Sequence, residues 1–381
     1  MRQRWNSPLW RSKEGTVKKR IVVGVAFAAL LALASTYAQT TQFFVYVANS
    51  GSNNVSAYTV NTGTGALSAV EGSPFPSGRS PHGVAVDPTE KFVYVANYGG
   101  NTVSAFTINS STGALAEVSG SPFPAGKGPH DVAVGPTGKF AYVANWNSNS
   151  VSAYTVNQST GALSEVSGSP FATGRQTPLG IAVDPTGKFV YVINGESYHV
   201  FAYTINSSTG AFSAVSGSPF PSGLHPSGIA IEPTGKFVYV TSLSGANVFA
   251  YAINPSTGAL TEVSGSPFAA GPSPYCDAVD PTGRFLYIAN QGSDNVSVYT
   301  INLGTGALTQ GNGSTFAAGL SPVKIAVDPT GKFIYVANNG SDNVSAYAIN
   351  ESTGALTEVS GSPFAAGRGP RGVAIAAVAG N

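Results

Sequence analysis

The sequence predicts an all-β fold, a seven-bladed β-propeller with four-stranded antiparallel blades, and two observations carry this prediction. A Tyr-Val-Ala-Asn-like segment recurs seven times, and its tyrosines are 48 or 49 residues apart. These tyrosines are Tyr46, Tyr94, Tyr142, Tyr191, Tyr239, Tyr287 and Tyr335. A fixed period of this length is typical of stacked supersecondary units. Each unit also contains four short segments of strand character, and seven such units suit a closed ring of blades.

The second repeat shows how each strand is predicted. Residues 83–86 are continuously apolar, which indicates an inner strand covered on both faces by neighbouring blades. Asp-Pro-Thr at 87–89 predicts a turn, because proline suits the second turn position. A second buried strand follows at 92–96, and residues 103–109 alternate as a third strand should. The fourth strand, after a Ser-Thr-Gly-Ala turn, is more polar, which discourages edge pairing.

The two ends of the repeat region predict how the ring closes. The first repeat begins on a second-strand segment at 43–47, with no inner strand before it. The chain ends on an inner-strand segment at 372–378 that has no blade of its own. We therefore expect the C-terminal strand to complete the first blade, which removes two open sheet edges. The single cysteine, Cys276, excludes an internal disulfide.

The first 38 residues differ in composition from the rest and predict a secretory signal peptide. Seven of the 19 lysines and arginines and one of the 18 acids lie there, followed by an uncharged stretch at 21–34 and a small-residue end. An uncleaved membrane anchor is the alternative, although the apolar stretch is short for a span of about 20 residues. We expect an exported protein, periplasmic, cell-surface or secreted, whose propeller occupies residues 39–381.

The charge balance and the motifs limit the classes of partner and cofactor that the protein is expected to bind. Residues 39–381 retain 12 basic and 17 acidic residues, a net charge of −5, so nucleic acid and anionic membrane surfaces are poor partners. We expect no membrane span in the mature chain and a monomer. The four histidines lie on separate loops without the close spacing typical of zinc sites. Dinucleotide and phosphate-loop fingerprints are missing, so we predict neither a metal nor a cofactor.

The variable charged residues gather at one end of the predicted ring. Six of the 12 basic residues of the mature chain lie where the chain enters inner strands, and the four histidines belong to the same end. Guanidinium and imidazole groups suit carboxylate or phosphate, so we predict ligand binding at this channel mouth. The predicted binding residues are Arg79, His82, Lys127, His225, Lys324, Arg368 and Arg371.

Four of the six basic residues at this end should form an arc around one side of the mouth. Arg368, Arg79, Lys127 and Arg175 hold one repeat position and lead into four consecutive blades. One cation per exposed loop is also ordinary on soluble proteins, so a solubilising role for the arc is the alternative.

The repeat resembles a known family. Its Tyr-Val-Ala-Asn, Asn-Val-Ser-Ala-Tyr and Asp-Pro-Thr-Gly-Lys-Phe segments are similar to YVTN-type propeller repeats and to the wider lactonase-like seven-bladed family. That family includes 6-phosphogluconolactonases and carboxy-muconate cyclising enzymes. The resemblance covers residues 43–378 and implies the propeller fold. If the protein is an enzyme, the resemblance implies a lactonase, a carboxylic-ester hydrolase.

The resemblance also implies candidate catalytic residues. Pro129-His130 matches the Pro-His that the family's enzymes carry before one inner strand. In the next blade, Leu179-Gly180 stands where the family has Arg-His, and Glu196 comes one position later than the family's glutamate. Leu243 stands where the blade after carries an arginine. His130 or Glu196 would then activate water, and Arg175 would stabilise the developing oxyanion.

Two functions therefore remain open from the sequence. The leading prediction is an exported binding module whose cationic channel mouth takes a small anionic ligand or a protein partner. The alternative is a hydrolase that opens a sugar-acid lactone. The two functions differ in how closely the side chains must converge. An enzyme needs a base and a cation within reach of one small ligand, whereas a binding module needs only a broad accessible face.

Overall fold

The described residues, 41–174 and 177–379 of the computed structural model, form seven antiparallel sheets. Each inner strand packs against the inner strands of the two neighbouring blades, so the sheets close into a ring. The fold-class prediction is confirmed. The predicted signal peptide and Arg175 lie outside the described residues. Within them, no helix is long and apolar enough to cross a membrane.

Blades are numbered here by the chain order of their second strands, and the strands have the following bounds. The inner strands of blades 1 to 7 are Pro370–Ala379, Pro81–Val86, Pro129–Val134, Pro178–Val183, Pro226–Ile231, Pro274–Val279 and Pro322–Val327. The second strands are Thr41–Asn49, Phe92–Asn97, Phe140–Asn145, Phe189–Asn194, Phe237–Ser242, Phe285–Asn290 and Phe333–Asn338. The third strands are Asn54–Val60, Thr102–Ile108, Ser150–Val156, His199–Ile205, Asn247–Ile253, Asn295–Ile301 and Asn343–Ile349.

The outer part of each blade is less regular. The outer strands are Leu67–Ala69, Leu115–Glu117, Leu163–Glu165, Phe212–Ala214, Leu260–Glu262, Leu308–Ala317 and Leu356–Glu358. Blades 1 to 5 and blade 7 add a two-residue strand: Phe75–Pro76, Phe123–Pro124, Phe171–Ala172, Phe220–Pro221, Phe268–Ala269 and Phe364–Ala365. A 3-10 turn, Trp146–Ser148, follows the second strand of blade 3.

The interrupted outer strand departs from the predicted four-stranded blade, and proline explains it. In blade 6 the outer strand is continuous, and Thr315 pairs with Ser297 of the third strand. The equivalent residue in blade 1 is Pro74, which has no N–H to donate to a ladder. There the Ser73 hydroxyl accepts the Ala57 amide at 2.9 Å instead. The outer edge is therefore held partly by side chains.

The C-terminal strand closes the ring as predicted. It pairs antiparallel with the first strand of the chain, from Thr41 opposite Ala379 to Val47 opposite Val373. Tyrosines of the second strands add a second link, because each hydroxyl donates to a glycine carbonyl of the next blade. The last of these bonds joins Tyr335 to the Gly65 carbonyl of blade 1 at 3.0 Å. Apolar clusters fill the space between neighbouring blades.

Candidate functional site

The residue directly after the first proline of each inner strand lines one pocket at the centre of the ring. These residues are His82, His130, Leu179, Ser227, Tyr275, Val323 and Arg371. The residue after that one lines the same pocket in blades 2 to 7, at Gly83, Asp131, Gly180, Gly228, Cys276 and Lys324. Because every inner strand enters from the same end, two positions of the repeat converge on one site. The cavity volume of about 40 Å³ has room for about three water molecules.

An ion pair crosses this pocket from blade 7 to blade 3. The Lys324 Nζ atom lies 3.3 Å from the Asp131 Oδ2 atom. Burial is the largest single influence and lowers the pKa of Lys324, but the charge and hydrogen bond of Asp131, together with Cys276 and Asp277, outweigh it, so the pKa of the ammonium rises above its usual value. Among residues 41–174 and 177–379 no other ion pair forms, so Arg371 has no carboxylate partner there. With neutral histidines, the pocket lining carries one surplus positive charge, which suits a single anionic group.

His130 is held as a neutral base. Its Nδ1 atom lies 2.9 Å from the Leu179 carbonyl oxygen, which can only accept a hydrogen bond. The proton of the neutral ring therefore belongs on Nδ1, and Nε2 is left as the acceptor. Burial lowers the pKa of His130 to about 4, although Asp131 and the Leu179 carbonyl act to raise it. At pH 7 the ring can accept a proton.

His82 lies beside it in a tightly packed position. The imidazole stacks on the Tyr98 ring at 4.6 Å between centroids and meets the His130 ring edge-on at 4.9 Å. Burial, followed by the repulsion that a second protonated ring would meet from His130 and by the charge of Arg371, lowers the pKa of His82 to about 2. Its Nδ1 atom is buried without a hydrogen-bond partner among the described residues. Such an atom costs roughly 1–3 kcal/mol unless a ligand or water satisfies it.

A second carboxylate lies next to the pocket wall in blade 6. The third residue after the inner-strand proline is aliphatic in the other blades: Val84, Val132, Ile181, Ile229, Ile325 and Val373. In blade 6 it is Asp277, which is 5% exposed, and neither carboxylate oxygen has a hydrogen-bond partner among the described residues. Burial raises the pKa of Asp277 to about 8, opposed mainly by Lys324. This side chain is mostly protonated at pH 7.

The residues predicted from the sequence divide between the pocket and the rim. His82, His130, Lys324 and Arg371 converge in the pocket, and the last two lie within inner strands rather than in the connections before them. The remaining described ones are exposed and do not line the pocket: Arg79, Lys127, Glu196, His225 and Arg368. The His225 Nδ1 atom lies 2.9 Å from the Ser244 hydroxyl, and the Glu196 amide donates to the Thr177 hydroxyl at 3.2 Å.

Sequence reasoning missed Asp131, Tyr275 and Asp277 as site residues. Asp131 and Asp277 lie two and three positions after an inner-strand proline, where most blades have glycine or an aliphatic residue, and Tyr275 directly follows its proline, at a position that differs from blade to blade. That deviation from the repeat was the available signal. Within the part of the chain that the structure describes, no group of three or more His, Cys, Asp and Glu side chains is arranged to hold a metal ion.

The sequence matches the model of one known protein family. The model described as Lactonase, 7-bladed beta-propeller, matches residues 32–123, 118–221, 212–325 and 277–373. The chain belongs to this lactonase family. Comparison with curated proteins gives no match.

Solved structures of similar architecture include proteins connected with lactone chemistry. A candidate 6-phosphogluconolactonase from Bacteroides uniformis ATCC 8492 is 19% identical, with a TM-score of 0.77 over 88% of this chain and 100% of that one. A second, from Bacteroides fragilis NCTC 9343, is 20% identical, with a TM-score of 0.76 over 90% and 99%. The periplasmic gluconolactonase of Pseudomonas aeruginosa is 18% identical, with a TM-score of 0.74 over 89% and 99%. At these identities the likeness shows the fold alone.

Proposed function

We propose that this lactonase-family protein hydrolyses a sugar-acid lactone whose carbonyl group enters the channel pocket while the rest of the ring lies at the channel mouth. The observation that carries the proposal is convergence, because a neutral histidine and two cations line one small pocket. A binding module needs only a broad accessible face, whereas this grouping meets the requirement that distinguishes an enzyme. The family and its structural neighbours, which include a gluconolactonase, support the same substrate class.

The pocket residues take defined roles in this reaction. The His130 Nε2 atom removes a proton from water as the water oxygen attacks the lactone carbonyl carbon, and the Leu179 carbonyl fixes the required tautomer. Arg371 and Lys324 stabilise the negative charge that develops on the carbonyl oxygen. The ring C–O bond then breaks, and the imidazolium returns its proton to the departing ring oxygen. The product is an open hydroxy acid.

The Glu196 and Arg175 roles implied by the resemblance are not needed here. Glu196 is exposed and does not line the pocket, whereas Asp131 does so and pairs with Lys324. The fixed charge of Asp131 can hold the ammonium in place while the lactone is bound.

We also propose that the protein is exported and acts as a monomer outside the cytoplasm. The basic and apolar segment at 1–38 supports export. The periplasmic location of a structural neighbour supports it as well.

Hydrolysis of glucono-δ-lactone and of 6-phosphoglucono-δ-lactone by the purified protein tests the proposal. We expect a rate above spontaneous opening, with a loss of about a hundredfold or more in kcat/KM in His130→Gln and in Arg371→Gln. His225→Gln is the matched control, because it changes an exposed histidine outside the pocket. Gluconate binding without turnover in the wild type would favour the binding module and overturn the hydrolase.

A further inference from the structure

The turns between inner and second strands, at the end of the ring opposite the channel mouth, carry a built-in carboxylate in five blades. These carboxylates belong to Asp87, Asp184, Glu232, Asp280 and Asp328. Asp87 shows the pattern: it accepts the amides of Thr89 at 3.0 Å, Lys91 at 2.8 Å and Phe92 at 2.7 Å. The turn therefore directs three backbone donors at one carboxylate.

In blade 5 the equivalent backbone amides bind a carboxylate on a longer side chain. Its carboxylate belongs to Glu232, which has one more methylene than aspartate. It accepts the equivalent amides of Thr234 at 2.7 Å, Lys236 at 2.5 Å and Phe237 at 3.3 Å. The backbone positions therefore select the carboxylate group, and the length of its link to the chain matters less.

Blade 3 keeps this turn but lacks the carboxylate, because the equivalent residue is Gly135. The backbone holds the same shape, with the Gly135 amide bonded to the Phe140 carbonyl at 2.8 Å and the Gly138 amide bonded to the Gly135 carbonyl at 2.9 Å. The Lys139 amide reaches only the Thr137 hydroxyl, at 3.4 Å. The amides of Thr137 and Phe140 have no acceptor among the described residues.

A cavity lies where the missing carboxylate would be. Its volume is about 150 Å³, and Gly135, Thr137, Lys139 and Phe140 line it together with apolar side chains that include Val183 and Ile205 of blade 4. A β-carbon on Gly135 would approach nothing closer than the Phe140 carbonyl oxygen, at 3.6 Å. The space can thus hold a carboxylate with a few carbon atoms attached.

We propose that the blade 3 turn binds the carboxylate group of a small, partly apolar monocarboxylate. The five sister turns identify the chemistry, because the amides equivalent to those of Thr137 and Phe140 bind a carboxylate in each of them. The Lys139 side chain adds a positive charge beside the cavity, and Val183 with Ile205 offers an apolar wall. The site is distinct from the channel pocket and does not depend on lactone hydrolysis.

Saturation-transfer NMR on the full chain, with propionate as the probe, tests this site. The wild type should give a propionate signal, and Gly135→Asp should weaken binding at least about tenfold, because its own carboxylate fills the donors. Gly63→Asp is the matched control: it adds the same charge at an exposed glycine, where a β-carbon would make only an ordinary contact, 3.5 Å from the Asn61 Oδ1 atom. No signal in the wild type, or equal signals in the wild type and Gly135→Asp, would overturn the proposal.

A second variant keeps the test independent of the folding of Gly135→Asp. Asp328→Gly opens an equivalent turn in blade 7, where Asp328 accepts the Phe333 amide at 2.7 Å. Its lowered Tm should recover in part in propionate, but not in chloride of equal ionic strength. Absence of recovery, or equal recovery in phosphate, would count against a carboxylate site.

Discussion

The second strands and the entrances of the inner strands are adjacent in every blade, yet they follow opposite rules. The second strands carry a buried tyrosine in all seven blades. The residues directly after the inner-strand proline differ from blade to blade, and only histidine occurs twice. Second strands must fit two neighbouring blades at crystal-like packing density, which allows little variation. Residues at the channel end line a cavity, so packing does not restrict which side chains can occupy these positions.

Asp277 is the exception that sharpens this comparison. It lies one position deeper than the two repeat positions that line the pocket in most blades, and it places a carboxylate where the other blades have an aliphatic residue. A methyl group on Gly228 would come within 2.6 Å of the Asp277 Oδ1 atom and 2.7 Å of the Thr241 hydroxyl. Blade 6 has therefore extended the polar site into the core.

The largest effect is expected from removing the C-terminal strand, which pairs with the second strand of blade 1. Deleting residues 372–381 removes most of the strand that completes blade 1, including buried Val373 and Val378. We expect a loss of about 5 kcal/mol or more in the free energy of unfolding, or loss of cooperative unfolding, measured by urea denaturation. Deleting only 379–381 is the control, because Ala379 is exposed. Equal stability of the two truncated forms would contradict this closure.

The next effect tests the exception in blade 6. Asp277→Val restores the aliphatic residue of the repeat and should raise stability by about 1–4 kcal/mol at pH 8. The pKa of Asp277 is about 8 in the folded protein against an ordinary 3.8. The unfolded chain therefore releases this proton first, and the wild type loses stability as pH rises from about 4 to about 8.

The gain from Asp277→Val should accordingly grow between pH 5 and pH 8 in thermal melts. Glu262→Val is the control, because it changes an exposed acid on the outer strand of blade 5. A Tm of Asp277→Val that matches the wild type at pH 8 would show that the carboxylate is already accommodated.

The smallest effect is expected at the rim. Changing Arg79, Lys127 and Arg368 together to glutamine should leave Tm within about 2 °C, because exposed charges contribute little stability. If the arc steers anionic lactones to the pocket, kcat/KM should fall about threefold at low salt and recover at high salt. A large loss that persists at high salt would move the binding site from the pocket to the rim.

The sequence predicted more of the fold than of the candidate site. The tyrosine period, the turn prolines and the unpaired terminal segments predicted the blade number, the strand order and the ring closure. They also indicated the end of the ring where His82, His130, Lys324 and Arg371 lie. The interrupted outer strand was missed, because the effect of Pro74 on a ladder appears only once its partner strand is known.

The sequence by itself determined the repeat, and with it which positions of each blade face the core, because strand faces are encoded by local alternation. Which channel-end residues line the same pocket was decided only by the tertiary structure. Lys324 and Asp131 are 193 residues apart and meet because ring closure brings blades 7 and 3 across the same channel. Burial there, which lowers the pKa of His130 and raises that of Asp277, depends on all seven inner strands together.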